Sequence, residues 1–473
     1  MNVARLFAAA TVVAIVVACS KDEPQEGHIV FYIDTDAPLL PKPRGAPSDL
    51  RAPGLFDKLS VEFYAATDTQ PCSSCLRDFP ASEDLFTYGA SLTVRGNVDR
   101  VRVRLYRSMD IVDGDIAPRT TIETVARLPP VPSQGSVAAN VLLATAHVGK
   151  PQGTLSAPVQ ANEGSIVQGH VGTWAPAHRT FCTGAARDEE MCIPGGAYFM
   201  GSSRVGEGDY LSLKPRLIVL SPFYLDKHEV TIGAIADWVA KTKKDPTTFL
   251  LPWDKKEPPE EVDFCTYGRV DRDLPVNCIV RAAALEYCQS QGKTLPTDAQ
   301  MEYVSSGMKA DPYVWGRSPP QCSDAVWGVR PNNLTCQETS STGPVAWTQS
   351  GWRKRDFLRI STGISTGTVY DLAGNVSEYV LDALSVDADP CWQVPEAGFL
   401  QNPLCTVDNT HPDPTFSADL LRGGNWNNEF RDAMRATERQ ALFYGPRQPA
   451  EPRRAAETVF ATSDIGFRCA RKP

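Results

Sequence analysis

Thirteen cysteines are the residues of this chain best equipped for chemistry. One of them, Cys19, closes an apolar run in the string Val16-Val17-Ala18-Cys19-Ser20. Leu6 to Val17 has the length of a signal-peptide core and is too short to span a bilayer comfortably. A small residue followed by Cys reads as a bacterial lipoprotein cleavage site, whose thiol takes a diacylglyceryl group and becomes the new N-terminus. Acyl chains contribute about 0.8 kcal/mol per buried CH₂, so several together hold a protein on a membrane. Ser20 rather than Asp follows the Cys, which favours the outer membrane of a Gram-negative cell. The expectation is a lipid-anchored protein of the bacterial cell envelope.

The other twelve cysteines are an even number in an exported chain and read as up to six disulfides. Cys182 and Cys192, Cys265 and Cys278, Cys322 and Cys336, and Cys391 and Cys405 are spaced for local loops. Each such closure stabilises by roughly 3 kcal/mol in the chain-entropy picture. A metal site is the weaker reading, because the cysteines are not in paired Cys-x-x-Cys sets and there are only six histidines. Cys72 and Cys75 form the one Cys-x-x-Cys. Without a strand-to-helix context it reads as a loop staple rather than a redox dithiol. The acidic string Asp110-Ile111-Val112-Asp113-Gly114-Asp115 invites calcium but reads better as a solvated hairpin turn.

These residues must be carried by more than one folding unit. About 450 residues remain after the leader, too many for one core. A net charge of −9 without a basic stretch argues against nucleic acid as a partner. Thirty-eight Pro and 34 Gly point to a loop-rich chain. After the leader (1–19) and a polar tether (20–27), residues 28–175 show period-two segments such as His28 to Ile33, Leu59 to Tyr64 and Val101 to Tyr106. With their Pro/Gly punctuation they predict a β-sandwich of roughly immunoglobulin-like kind. From Cys182 the texture changes to frequent Trp and short glycine strings. Helices are expected over Ile232–Lys241 behind the N-cap Thr231, and over Arg281–Gln291 ahead of Gly292. A third starts at Thr297, where Gln300 completes a capping box.

Five strings in the last 280 or so residues resemble the formylglycine-generating enzyme, or sulfatase-modifying-factor, family. They are Ile193-Pro194-Gly195-Gly196-Ala197-Tyr198-Phe199-Met200-Gly201; Phe223 to Thr231; Gly292-Lys293-Thr294-Leu295-Pro296 to Tyr303 with Trp315-Gly316; Tyr370-Asp371-Leu372-Ala373-Gly374-Asn375-Val376-Ser377-Glu378; and Leu421-Arg422-Gly423-Gly424-Asn425-Trp426 with Gly466-Phe467-Arg468-Cys469. The resemblance leaves out the N-terminal region. It implies an α+β fold in which the N-terminal β-sandwich precedes a loop-rich, duplicated, C-type-lectin-like domain over 182–473. It also implies a disulfide between Cys288 and Cys469.

Catalysis is a separate question from fold. The family's oxidases convert a substrate cysteine to formylglycine with copper(I) on two thiolates, soft ligands for a soft ion. Aligned without gaps, this chain has Asn428 and Ala433 at those places, and no Cys lies between Gly424 and Cys469. Asn425 and Ser377 replace a Ser and a Trp of the same pocket. Copper is therefore not expected, and the oxidase chemistry reads as lost. The ergothioneine-type branch uses iron on histidines; here His228 and His411 are the domain's only ones, too few for such a site.

The resemblance further implies a calcium on Asp371, Gly374, Val376 and Glu378, where Asp371 replaces a family Asn. Oxygen donors on a Gly turn suit Ca²⁺. A second family calcium turn reads as broken, since Ala325 follows Asp324 where an Asn ligand belongs. In the former pocket, Asn425, Trp426, Asn427, Asn428 and Arg435 suit peptide or sugar recognition. The reading is a membrane-anchored, non-catalytic binding or scaffold lipoprotein whose partner is an envelope protein, peptide or glycan. Its rivals are an oxidase acting through a different residue set and a chaperone that binds the sulfatase motif without oxidising it.

Overall fold

The two-residue repeat of the extended chain along His28–Thr35 sends Ile29, Phe31 and Ile33 to one side, where all three are fully buried. Leu59, Val61 and Phe63 do the same in Lys58–Tyr64, as do Val101, Val103 and Leu105 in Arg100–Tyr106. These faces belong to two sheets of four and five strands whose inward residues share one apolar cluster. Phe31 of one sheet meets Phe63 of the other edge to face at 6.3 Å. His28–Thr35 runs parallel to Ser136–Leu143 and antiparallel to Ala90–Val94. Polar faces are also matched in register: Glu62 lies opposite Arg102 and takes both Arg102 and Arg104 as ion partners. The acidic string is a hairpin, Ile111–Val112 pairing with Asp115–Ile116 around Asp113 and Gly114 at φ 53° and 91°.

This computed structural model describes residues 26–40, 53–72, 75–87, 89–166, 168–203, 211–252, 264–329, 336, 353–361, 366–406, 417–444 and 462–473. Cys19, the leader, most of the tether and His411 lie outside them. No helix among the described residues is long and apolar enough to cross a membrane.

The C-terminal part is mixed α+β, rich in short strands and poor in helix. The Thr231 Oγ1 accepts the Ala234 N–H at 3.2 Å and starts Ile232–Thr242, one residue longer than expected, with Lys243 in the left-handed region behind it. Arg281–Ser290 stops one residue short of expectation before Gly292 at φ 68°. The capping box forms in full, Thr297 and Gln300 exchanging hydrogen bonds at the start of Asp298–Ser305.

The hairpin Gly196–Met200 with Arg216–Leu220 joins the two parts. Every residue of its two strands is buried, because each face meets a different core. Ala197, Phe199, Leu217 and Val219 complete the N-terminal cluster. Tyr198, Met200, Ile218 and Leu220 point the other way, into a cluster with the helix Asp298–Ser305. Phe199 packs on Phe56 at 5.7 Å and under the Arg107 guanidinium at 5.1 Å, and Arg107 also donates to the Ala310 carbonyl at 3.0 Å.

A buried ionic network holds the helix Asp298–Ser305 to the sheet behind it. Arg422 donates to Asp298 and, at 2.8 Å, to Glu302, while Arg439 lies 3.2 Å from the second Asp298 oxygen. Glu302 also accepts the Gly201 N–H at 2.6 Å. Asp382 takes two backbone donors, Asp298 N at 2.7 Å and Cys405 N at 2.8 Å. Burial, with Asp298 adding repulsion, pushes the Asp382 carboxyl up to about 7.

Two outcomes follow from this packing. Phe199→Ala should cost about 3–5 kcal/mol, and calorimetry should resolve two unfolding transitions where the wild type shows one. The raised Asp382 pKa makes the folded state the better proton binder. Its contribution is complete below the ordinary carboxylate range and declines as pH rises through about 7. Asp382→Asn should flatten that decline in denaturant midpoints measured between pH 4 and pH 8.

Candidate functional site

Thr366–Tyr370 feeds a turn that ends at the strand Ser377–Ala383. Asp371 and Asn375 sit in the left-handed region at φ 57° and 75°. Two buried acids hold this backbone. The Asp356 carboxylate accepts the N–H groups of Leu372, Ala373 and Gly374 at 2.9, 2.8 and 3.0 Å. Glu229 accepts the Asn375 side-chain amide at 2.5 Å and the Val376 N–H at 3.3 Å. A Cβ on Gly374 would come within 2.7 Å of the Val326 carbonyl oxygen, so only glycine fits.

The turn brings Asp371, Gly374, Val376 and Glu378 together, but guanidinium groups already hold its two acidic side chains. Arg468 clasps Glu378 through Nε and Nη2 at 2.7 and 2.6 Å. It also donates to the carbonyls of Tyr370 and Asp371 at 2.9 and 2.8 Å. Arg353 faces both Asp371 oxygens, Nε at 3.0 Å and Nη1 at 3.3 Å, with both side chains at most 2% exposed. Burial, reinforced by Asp371 and Glu378, pushes Glu229 well above the carboxylate range, and burial with Asp371 pushes Asp356 up to about 7. The donor set does not fit the expected calcium. A divalent ion at about 2.3–2.6 Å from these oxygens would have to displace the guanidiniums or lie against them. Among the described residues, no group of three or more His, Cys, Asp or Glu side chains is placed to hold a metal ion.

The second turn shows the same pairing. Arg355 holds both Asp324 oxygens, Nε on Oδ1 at 2.7 Å, and Ala325 is buried among Val326, Trp327 and Val329.

The five expected binding residues divide. Asn425 is 1% exposed and knots its own loop: its Nδ2 donates to Ser377 Oγ at 2.9 Å, its Oδ1 accepts the Asn427 N–H at 2.9 Å, and its N–H donates to Asn428 Oδ1 at 2.7 Å. Trp426 is a core residue, packed on Phe264 at 5.3 Å with Nε1 donating to the Ser463 carbonyl. Asn427, Asn428 and Arg435 remain half-buried at the rim. Arg435 binds Asp432 and lies 5.6 Å over the Tyr313 ring. Phe430 on the same loop is 76% exposed and was not singled out by its sequence pattern.

All twelve cysteines beyond Cys19 are paired: 72 with 75, 182 with 192, 265 with 278, 288 with 469, 322 with 336, and 391 with 405. The copper positions therefore offer an amide, Asn428, already accepting a hydrogen bond, and the methyl of Ala433 packed beside the Trp426 cluster. Neither is a soft donor.

A separate cleft of about 400 Å³ runs beside the Cys288–Cys469 bridge, lined among others by Arg187, Glu189, His228, Glu229 and Lys293. His228 stacks on Tyr370 at 5.4 Å, and burial lowers its pKa. Lys293 is committed to Asp226 and, at 3.0 Å, to Glu190.

Glu229, Asn375 and Arg468 stand inside the recurring strings, yet nothing in their spacing marked them as partners of the turn. Asp356 and Arg353 lie outside every string, and only the fold brings them in.

None of the curated proteins matches this chain. Among solved structures, 52 chains match. PvdO from Pseudomonas aeruginosa is 18% identical at a TM-score of 0.38, over 60% of this chain and 94% of its own. Variable protein 1 of Treponema denticola is 17% identical at 0.37, over 62% of this chain and 99% of its own. Residues 178–473 match the model of the sulfatase-modifying factor enzyme 1-like domain. The chain, which carries this domain over more than half its length, belongs to that family.

Proposed function

We propose that this protein is a lipid-anchored envelope lipoprotein whose sulfatase-modifying-factor domain recognises a protein, peptide or glycan without oxidising it. The observation that carries this reading is the thiol account. Thirteen cysteines reduce to six disulfides and Cys19, which leaves no thiolate pair for copper(I). In this reading the two N-terminal sheets form a β-sandwich, and the C-terminal domain keeps the family's duplicated, C-type-lectin-like plan. The sandwich holds that domain away from the membrane through their shared hairpin. The rim of Asn427, Asn428, Phe430 and Arg435 offers an exposed aromatic with amide and guanidinium donors, a combination that suits peptide or sugar binding.

Two experiments test the proposal. Purified full-length protein should contain no stoichiometric copper or iron and should consume no oxygen with a cysteine peptide carrying a sulfatase motif. Aldehyde formation on that peptide would refute it, and firm capture of the unmodified peptide would favour the chaperone reading instead. In cells, Cys19→Ala should move the protein from the membrane fraction to the soluble fraction, because about 0.8 kcal/mol per buried CH₂ is lost with the acyl chains.

A further inference from the structure

We infer that one segment, Arg353-Lys354-Arg355, carries the positive charge at both turns where the family resemblance places calcium, so that this protein is built to fold without that ion. The segment is a bend, with Arg353 in the left-handed region at φ 55°, and its two arginines reach different turns. Arg353 donates through Nη1 to Asp371 Oδ2 at 3.3 Å, with its Nε 3.0 Å from Oδ1 as an ion pair, and Arg355 donates to both oxygens of Asp324. The segment is pinned between them by its backbone, Lys354 N donating to the Ser323 carbonyl at 2.9 Å.

Three features single out a guanidinium as the resident cation. The first is chemical. The family's amide at position 371 is here a carboxylate, which gives a guanidinium a charged, two-oxygen acceptor that an amide would not. The second is that the neighbouring arginine already performs the carbonyl-binding part of a cation's role. Arg468 donates to the carbonyls of Tyr370 and Asp371 while holding Glu378. The third is burial. Arg353 and Asp371 are 2% and 0% exposed, so neither charge can be left without the other. At the second turn Ala325 has removed one ion ligand, and Asp324 is 5% exposed with Arg355 as its counter-charge. The same segment therefore serves one turn that keeps its acidic donors and one that does not. The inference is independent of which ligand the domain recognises.

That asymmetry sets the test. Full-length protein, Arg353→Gln and Arg355→Gln are compared by thermal unfolding in EDTA and in millimolar CaCl₂, and the wild type is titrated with CaCl₂ by calorimetry. The wild type should melt at the same temperature in both media and give no saturable calcium isotherm. Arg353→Gln should melt lower in EDTA and recover several degrees in calcium, because Asp371 is freed for the ion. Arg355→Gln should melt lower by the same amount in both media, because its turn lacks a donor set. Saturable calcium binding by the wild type, or an Arg353→Gln variant indifferent to calcium, would overturn the inference. Should Arg353→Gln fail to fold in EDTA, folding restored by calcium supports the inference, and failure in both media together with a wild-type isotherm overturns it.

Discussion

The C-terminal domain depends on buried pairs of arginine and carboxylate more than on any sheet or helix. Its strands are short and its helices few, so regular backbone hydrogen bonding covers only part of the chain. The remaining loops are tied by guanidiniums that reach several elements at once. Arg468, just ahead of the last strand, joins the C-terminal segment to the turn at 371 and to Glu378. Arg422 joins a central strand to Asp298 and Glu302 on a helix, and Glu302 in turn caps the first string at Gly201. Five donors in a rigid fork make arginine able to do this, while a compact ammonium could not. Removing one member of such a pair leaves a buried charge exposed to a low dielectric, typically at a cost of about 3–5 kcal/mol. The recurring strings are thus the two ends of these contacts.

The loop after Gly424 closes on itself: the Asn425 N–H donates to Asn428 Oδ1, and the Asn427 N–H donates to Asn425 Oδ1. The long-range bridge between Cys288 and Cys469, separated by 181 residues, still fixes how the first and last parts of the domain meet.

The N-terminal unit is coupled to this framework through shared apolar surface. A hairpin whose two faces serve two cores cannot be removed from one without opening the other. This makes the pair of units mechanically continuous, and it explains why Arg107, an N-terminal residue, is buried against Phe199 and Ala310 of the C-terminal part.

Much of this was legible in the residues alone. Period-two alternation located the N-terminal strands, Thr231 and Thr297 marked helix starts, and the ordered strings identified the family. Five of the six disulfides agree with local spacing, and the sixth, 288–469, came from the resemblance. These features are local, so short-range sterics, hydrogen bonding and periodicity determine them. The surroundings of the turn were decided by the tertiary structure. The group that faces Asp371 is Arg353, eighteen residues away and outside every recurring string. Whether Trp426 faces a ligand or the core depends on Phe264 and Ser463. A charged or aromatic side chain carries no record of its partner in its own neighbourhood; only the folded chain sets which group desolvates against which.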